Sequence, residues 1–279
     1  MSYSFRHAIC NEVYQGWDFA RSCQSIRGFG YEGIEIAPFT LNEYPATITA
    51  EQRREYSRII REEGLTFVGL HWLMVAPKGL HVTTPDEALR NRSWQHIRDL
   101  VDLCADLGPD GVMIFGSPAQ RSTTGGLSRE EATKHYVDGL ATVAPHAEQR
   151  GVKILVEALP PDQCDVVLTL EEAVGIVQQI GSPSIRTMFD THNAVAEERP
   201  HGELVDRFFD FIEHVHVNEM NGGHPGTADY DFKPVLATLA RKNFSGFVSL
   251  EAFDFKPGAE TIARESLEYL NREIAELAG

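Results

Sequence analysis

Four polar residues in the second half of the chain each close a short apolar run: Glu157 after Ile154-Leu-Val, Asp190 after Met188-Phe, His216 within His214-Val-His216-Val, and Glu251 after Val248-Ser-Leu. Brought together, they offer three carboxylates and one imidazole. Several like charges cannot share a water-poor site unless a cation neutralises them. A mainly oxygen donor set suits Mn2+ or Mg2+, with Co2+ and Zn2+ as further candidates. A single carboxylate at a strand end can equally cap the next helix, so the argument rests on the set and on elements that bring it together.

Further candidates fall at similar places. Glu35 closes Gly33-Ile-Glu35-Ile, and His71 and Trp72 close Gly69-Leu-His71-Trp72. His71 is read as a substrate contact, and Trp72 either offers a flat apolar wall to the substrate or packs under the next helix. His214 and His216 are two apart on one strand and point to one side. His216 lies nearer the C-terminal end and is taken as the ligand, with His214 packed below it. Asn218 and Glu219 follow and can bond hydroxyls or cap the loop, while His7 on the first strand either faces the site or packs in the core. Arg121, in Gln120-Arg-Ser-Thr-Thr-Gly-Gly126, suits an anion such as a substrate phosphate, or a solvated loop.

The elements that must position these residues are read from alternation. Apolar or β-branched runs at Ser4–Ile9, Gly33–Ala37, Thr66–Trp72, Gly111–Phe115, Lys153–Ala158, Arg186–Asp190, His214–Asn218 and Phe247–Ala252 alternate with amphipathic stretches such as the one carrying Leu100, Leu103 and Cys104 on one face. Thr49, Ser128 and Thr169 each stand three residues before Gln or Glu, a helix-start signature. Gly30, Gly64, Gly108 and Gly151 stand where left-handed helix ends are wanted. Eight such units predict an α/β fold, a single (β/α)8 TIM barrel over residues 1–279. An open doubly wound sheet is the alternative, but no glycine-rich phosphate loop follows any strand. In a barrel all eight C-terminal strand ends meet at one mouth. The stretches Trp72–Pro85 and Gly116–Leu127 exceed usual βα connections and are candidate lids or dimer contacts.

Composition narrows the function classes. The chain has 279 residues, 25 Lys+Arg against 41 Asp+Glu for a net charge of −16, and 42% hydrophobic residues. A core is affordable at that composition, and the negative excess argues against nucleic acid. No run is long enough to span a membrane, and the start Met1-Ser-Tyr-Ser-Phe-Arg-His does not read as a secretory signal, so a cytoplasmic protein with no membrane partner is expected. Cys10, Cys23, Cys104 and Cys164 are scattered and read as reduced, with Cys23 and Cys104 packed on helices.

The ordered set Val156-Glu157, Phe189-Asp-Thr-His192, His214-Val-His-Val-Asn-Glu219, Pro225-Gly226 and Leu250-Glu251 resembles the xylose isomerase-like TIM-barrel superfamily of sugar phosphate isomerases and epimerases. Within it the pattern is most similar to ketose 3-epimerases, hydroxypyruvate isomerases and inosose dehydratases. The resemblance covers essentially the whole chain and is more specific for fold and metal site than for substrate. It implies one divalent metal held by Glu157, Asp190, His216 and Glu251, with Glu157 and Glu251 also the catalytic acid/base pair. It implies a substrate-touching histidine after the aspartate; His192 stands two residues on, whereas Asn193 occupies the commoner spacing of three. A substrate-binding arginine of the ketose 3-epimerases falls on Gly222, and their Asn-Arg pair after the strand-five glutamate is replaced by Leu159-Pro-Pro-Asp-Gln163. Small carbohydrate substrates and a homodimer or homotetramer are implied.

Such a site supports three outcomes from one enediolate: epimerisation, aldose–ketose isomerisation, and dehydration of an inosose or keto-sugar. A phosphodiesterase of the endonuclease IV type would need more histidine ligands, and strand four ends Phe115-Gly-Ser117 without one. A non-catalytic metal-binding subunit is the remaining alternative, marked by the lack of a cavity beside the ion.

Overall fold

The structure is a computed structural model describing residues 4–277. Eight parallel strands close into a barrel in sequence order: β1 (Arg6–Cys10), β2 (Gly33–Ile36), β3 (Thr66–Leu70), β4 (Val112–Phe115), β5 (Lys153–Val156), β6 (Ile185–Asp190), β7 (Ile212–Val217) and β8 (Phe247–Leu250). Helices α1 (Phe19–Phe29), α2 (Ala50–Glu62), α3 (Glu87–Leu107), α4 (Pro118–Arg121), α5 (Arg129–Arg150), α6 (Leu170–Ile180), α7 (His201–Phe208), α8 (Lys233–Arg241) and α9 (Ala259–Leu277) follow in turn. The one-turn α4 lies inside the long connection after β4 and was not expected from periodicity. Residues 1–3 and 278–279 of the expected domain lie outside the described residues, as does part of the segment read for a leader. No helix among the described residues is long and apolar enough to cross a membrane.

Local chemistry explains the element ends. Thr49 and Ser128 form full capping boxes with Gln52 and Glu131. Thr169 accepts from the Glu172 N–H, while the Glu172 carboxylate instead accepts from the Leu168 N–H at 2.8 Å. Gly30, Gly64 and Gly151 take positive φ as expected, but Gly108 does not: its φ is −179°. What requires glycine there is room, since a Cβ would stand 3.0 Å from that of Phe67.

The period of two along each strand carries the barrel interior from an apolar floor to a polar rim. Ala8, Val68, Val112, Ile114, Leu155, Met188 and Phe247 fill the floor. Two residues further on, Ala8 gives way to Cys10, Leu155 to Glu157, Met188 to Asp190, and Phe247 to Ser249 and then Glu251. Asp190 pairs in register with His216, and His216 with Ser249, which sets their side chains at one level. Outside the strands, Ile26, Ile97, Leu100, Leu103 and Cys104 belong to the core between barrel and helices. Strands three, five and eight end two residues earlier than expected, so His71, Trp72, Glu157 and Glu251 stand just beyond the ladder. Trp72 marks the departure with a φ of 50°.

Candidate metal centre and cavity

Glu157, Asp190, His216 and Glu251 each present a ligand atom, and the four atoms lie within 4.8 Å of one another, all buried. His216 Nδ1 is 3.1 Å from Glu251 Oε2 and 3.5 Å from Asp190 Oδ2. Its Nε2 lies 2.9 Å from Glu35 Oε1, so a carboxylate on β2 holds the far side of the ring and leaves Nδ1 to the centre. Glu35 serves two histidines, since His214 Nε2 lies 2.8 Å from its other oxygen. His214 is thus the lower, packed histidine, as its position in the strand suggested.

Neutral donors fix the carboxylates. Asn193 donates its backbone N–H to Asp190 Oδ1 at 2.7 Å and its side-chain N–H to Glu157 Oε1 at 2.8 Å. Trp72 donates its indole N–H to Glu251 Oε1 at 2.8 Å. Burial, with the charges of Glu251 and Asp190, pushes the Glu157 carboxyl up to about 8. Burial also pulls Glu251 upward, but His216 beside it wins and holds the carboxyl below its ordinary value. Three carboxylates crowded in this way, with one imidazole, fit a divalent cation bound mainly through oxygen.

Above the centre opens a cavity of about 380 Å³. His71, Trp72 and Phe253 line one side, Gly116, Pro118 and Leu159 another, and Glu157, Asn193 and Glu251 also line it. Gly116 admits Glu157 to its place: a Cβ there would stand 2.1 Å from Glu157 Oε2 and displace the carboxylate. An accessible cavity beside the four residues counts against a purely metal-holding subunit. The connections after β3 and β4 wall the cavity and are bonded to each other, Val82 N–H to Gln120 O at 2.9 Å and the Thr83 hydroxyl to Ser122 O at 2.7 Å.

Other candidates are placed differently from expectation. Arg121 is fully buried, donating from Nη1 to the carbonyls of Phe115 and Glu157 at 2.9 and 2.7 Å. The one-turn helix α4 carries it inward, which corrects the reading of a loop cation open to a phosphate. Glu219 is also buried, and both oxygens are taken by the backbone N–H groups of Gly226 and Tyr230 at 2.8 and 3.1 Å. It closes the loop after β7 instead of meeting a sugar. His192 Nδ1 lies 3.2 Å from the Glu219 carbonyl and its ring packs near Phe253, while Asn193 takes the cavity position. His71 lines the cavity but is wholly buried, with Nε2 2.6 Å from Glu12 Oε2. Trp72 does contribute a wall, with ring planes near-parallel to Phe39 and Phe253, yet its edge is engaged with Glu251. Asn218 accepts from the Thr191 hydroxyl and the His192 N–H at 2.9 Å each, and so braces the segment after β6. His7 is buried. Gly222 has φ 79° with Phe253 against it, a turn that would strain an arginine.

Sequence reasoning did not find Glu12, or Gly116 as the residue that admits Glu157. A glycine closing strand four was the available signal for Gly116; no residue pattern marks Glu12.

A closed barrel with carboxylates and a histidine gathered at its C-terminal mouth has the architecture in which TIM-barrel enzymes build their sites. The sequence profile of the xylose isomerase-like TIM barrel matches residues 23–273, and the chain belongs to that family. An L-ribulose 3-epimerase of Methylomonas sp. (strain DH-1) is 24% identical over 251 residues, 88% of this chain and 83% of the relative. A D-psicose 3-epimerase of Agrobacterium fabrum is 26% identical over 264 residues, covering 89% and 85% respectively. Such relatives are sugar epimerases, within the isomerase class. Among solved structures, the IolI protein with a bound zinc atom superposes with a TM-score of 0.78 at 20% identity, over 98% of this chain and 99% of that one.

Proposed function

We propose that this chain is a divalent-metal-dependent isomerase or epimerase of a keto-sugar, phosphorylated or free, with Mn2+ or Mg2+ as the favoured ion. The observation that carries this reading is the convergence of Glu157, Asp190, His216 and Glu251 within 4.8 Å beside an accessible cavity. A divalent ion bound there supplies Lewis acidity to the carbonyl and neighbouring hydroxyl of the sugar. Glu157 and Glu251 come from strands three apart around the barrel and reach the substrate from different sides. One takes the proton from the carbon next to the carbonyl, and the other returns a proton to the opposite face, inverting the centre. Asn193 and Trp72 keep the two carboxylates in place by one hydrogen bond each. Four free, buried cysteines suit a cytoplasmic setting, and the partner is a small carbohydrate, with a homodimer or homotetramer as the working assembly.

The test is proton exchange. Mg2+-loaded protein incubated with a panel of ketoses, ketose phosphates and inososes in D2O should place deuterium next to the carbonyl of a substrate with inversion or carbonyl shift, followed by NMR. Loss of water instead would assign a dehydratase. Glu157→Gln and Glu251→Gln should each abolish exchange with unchanged circular dichroism, and normal turnover in both would overturn the reading.

A further inference from the structure

Next to the four-residue centre, and sharing Glu251 with it, the barrel holds three further metal-ligating side chains that the proposed reaction does not use. Cys10 ends β1, Glu12 lies in the 3-10 turn Asn11–Tyr14, and His71 follows β3. One ligand atom from each of Cys10, Glu12, His71 and Glu251 lies within 4.8 Å of one from every other. Cys10, Glu12 and His71 are fully buried. His71 and Glu12 meet through Nε2 and Oε2; Glu12 Oε1 has no hydrogen-bond partner, and His71 Nδ1 lies 3.5 Å from Glu35 Oε1, beyond a good hydrogen bond. Cys10 Sγ lies 3.9 Å from His216 Nε2 and 3.8 Å from Ser249 Oγ, both long for hydrogen bonds. A buried carboxylate oxygen without a donor is unfavourable, and here the carboxylate also faces the charge of Glu251.

We propose that Cys10, Glu12, His71 and Glu251 form a second cation site, different in kind from the first because it contains sulfur. A thiolate, an imidazole and two carboxylates buried together suit four-coordinate Zn2+, whereas the oxygen-rich first centre suits harder ions. Binding converts the Cys10 thiol to a metal-bound thiolate and releases its proton to solvent. His71 and Glu251 line the cavity, which gives the ion a route in. Because Glu251 belongs to both groups, filling the second site occupies a carboxylate needed for proton transfer and lowers turnover.

Metal-free protein saturated with Co2+ and then desalted tests this directly. Two cobalt ions per chain are expected, with a near-ultraviolet thiolate-to-cobalt charge-transfer band that the sulfur-free first centre cannot produce. Cys10→Ser should remove the band and one ion. Glu12→Gln, which keeps the thiol and the side-chain shape, should also weaken the band and lower the count, and it stands in if Cys10→Ser does not fold. One ion per chain without the band, or a band that survives Cys10→Ser, overturns the second site while leaving the first. No ion at all would overturn both. In the enzyme loaded with Mg2+, added Zn2+ should inhibit the wild type more strongly than Cys10→Ser.

Discussion

The indole N–H of Trp72 meets Glu251 Oε1 at 2.8 Å, so an aromatic residue at the cavity wall works through its edge on a carboxylate of the centre. A hydrogen bond to a charged group is worth about 1.5–3 kcal/mol. Trp72→Phe keeps the ring next to Phe39 and Phe253 and removes only the donor. It should lower kcat by about tenfold or more with little change in KM. Steady-state kinetics on the best ketose checks this, and an unchanged kcat would assign Trp72 to wall-building alone.

Two glycines separate site effects from stability effects. At Gly116 an added methyl meets the end of the Glu157 side chain at 2.1 Å, whereas at Gly69 it meets the backbone oxygen of Val112 at the same distance. A side-chain end can swing away, but a barrel strand cannot. Gly116→Ala should melt close to the wild type yet lose metal affinity and on the order of 100-fold in turnover. Gly69→Ala should lose about 1–3 kcal/mol of stability or more. Thermal melts with calorimetric metal titration read both, and equal melting losses would refute the distinction.

The position after Asp190 gives a second contrast. Asn193 touches both Glu157 and Asp190, while His192 contacts the Glu219 carbonyl. Asn193→Ala should therefore weaken turnover and metal binding far more than His192→Ala. If the histidine variant proves the more damaged, substrate contact at that spacing belongs to His192 after all.

Acid sensitivity should depend on His7, away from the centre. Burial lowers its pKa from 6.5 to about 4, with a smaller opposing pull from the Val248 backbone. The folded state keeps the ring neutral while the unfolded chain takes up a proton. Stability from this group is therefore full above pH 6.5 and falls as pH drops towards 4. The loss by about pH 4.5 is roughly 2–3 kcal/mol. Urea unfolding at about pH 7.5 and about pH 4.5 should show a smaller acid loss in His7→Leu than in the wild type; identical losses would rule the residue out.

The barrel was legible because its signals are local and repeated. Alternating side chains point Leu155 and Glu157, or Met188 and Asp190, to the same side, and hydroxyl caps such as Thr49 and Ser128 announce the next helix. The four central residues were legible for the same reason, since each lies at, or within one residue of, the C-terminal end of its strand. Arg121 and Glu219 were misread because both lie in connections, where composition does not say which way the chain turns. A single turn of helix buries one, and two backbone N–H groups claim the other. Gly108 shows the same blindness from the opposite direction: its helix-end position was visible, but the aromatic ring packed against it comes from a strand far away in sequence.

The connections after β3, β4 and β5 are stitched in series, Val82 to Gln120, Thr83 to Ser122, and Thr123 to Asp165 through its backbone N–H at 2.8 Å. A graft that transplants substrate preference from a relative would need to carry all three connections as one cassette. Any one exchanged alone would leave its neighbours' donors and acceptors facing the wrong partner.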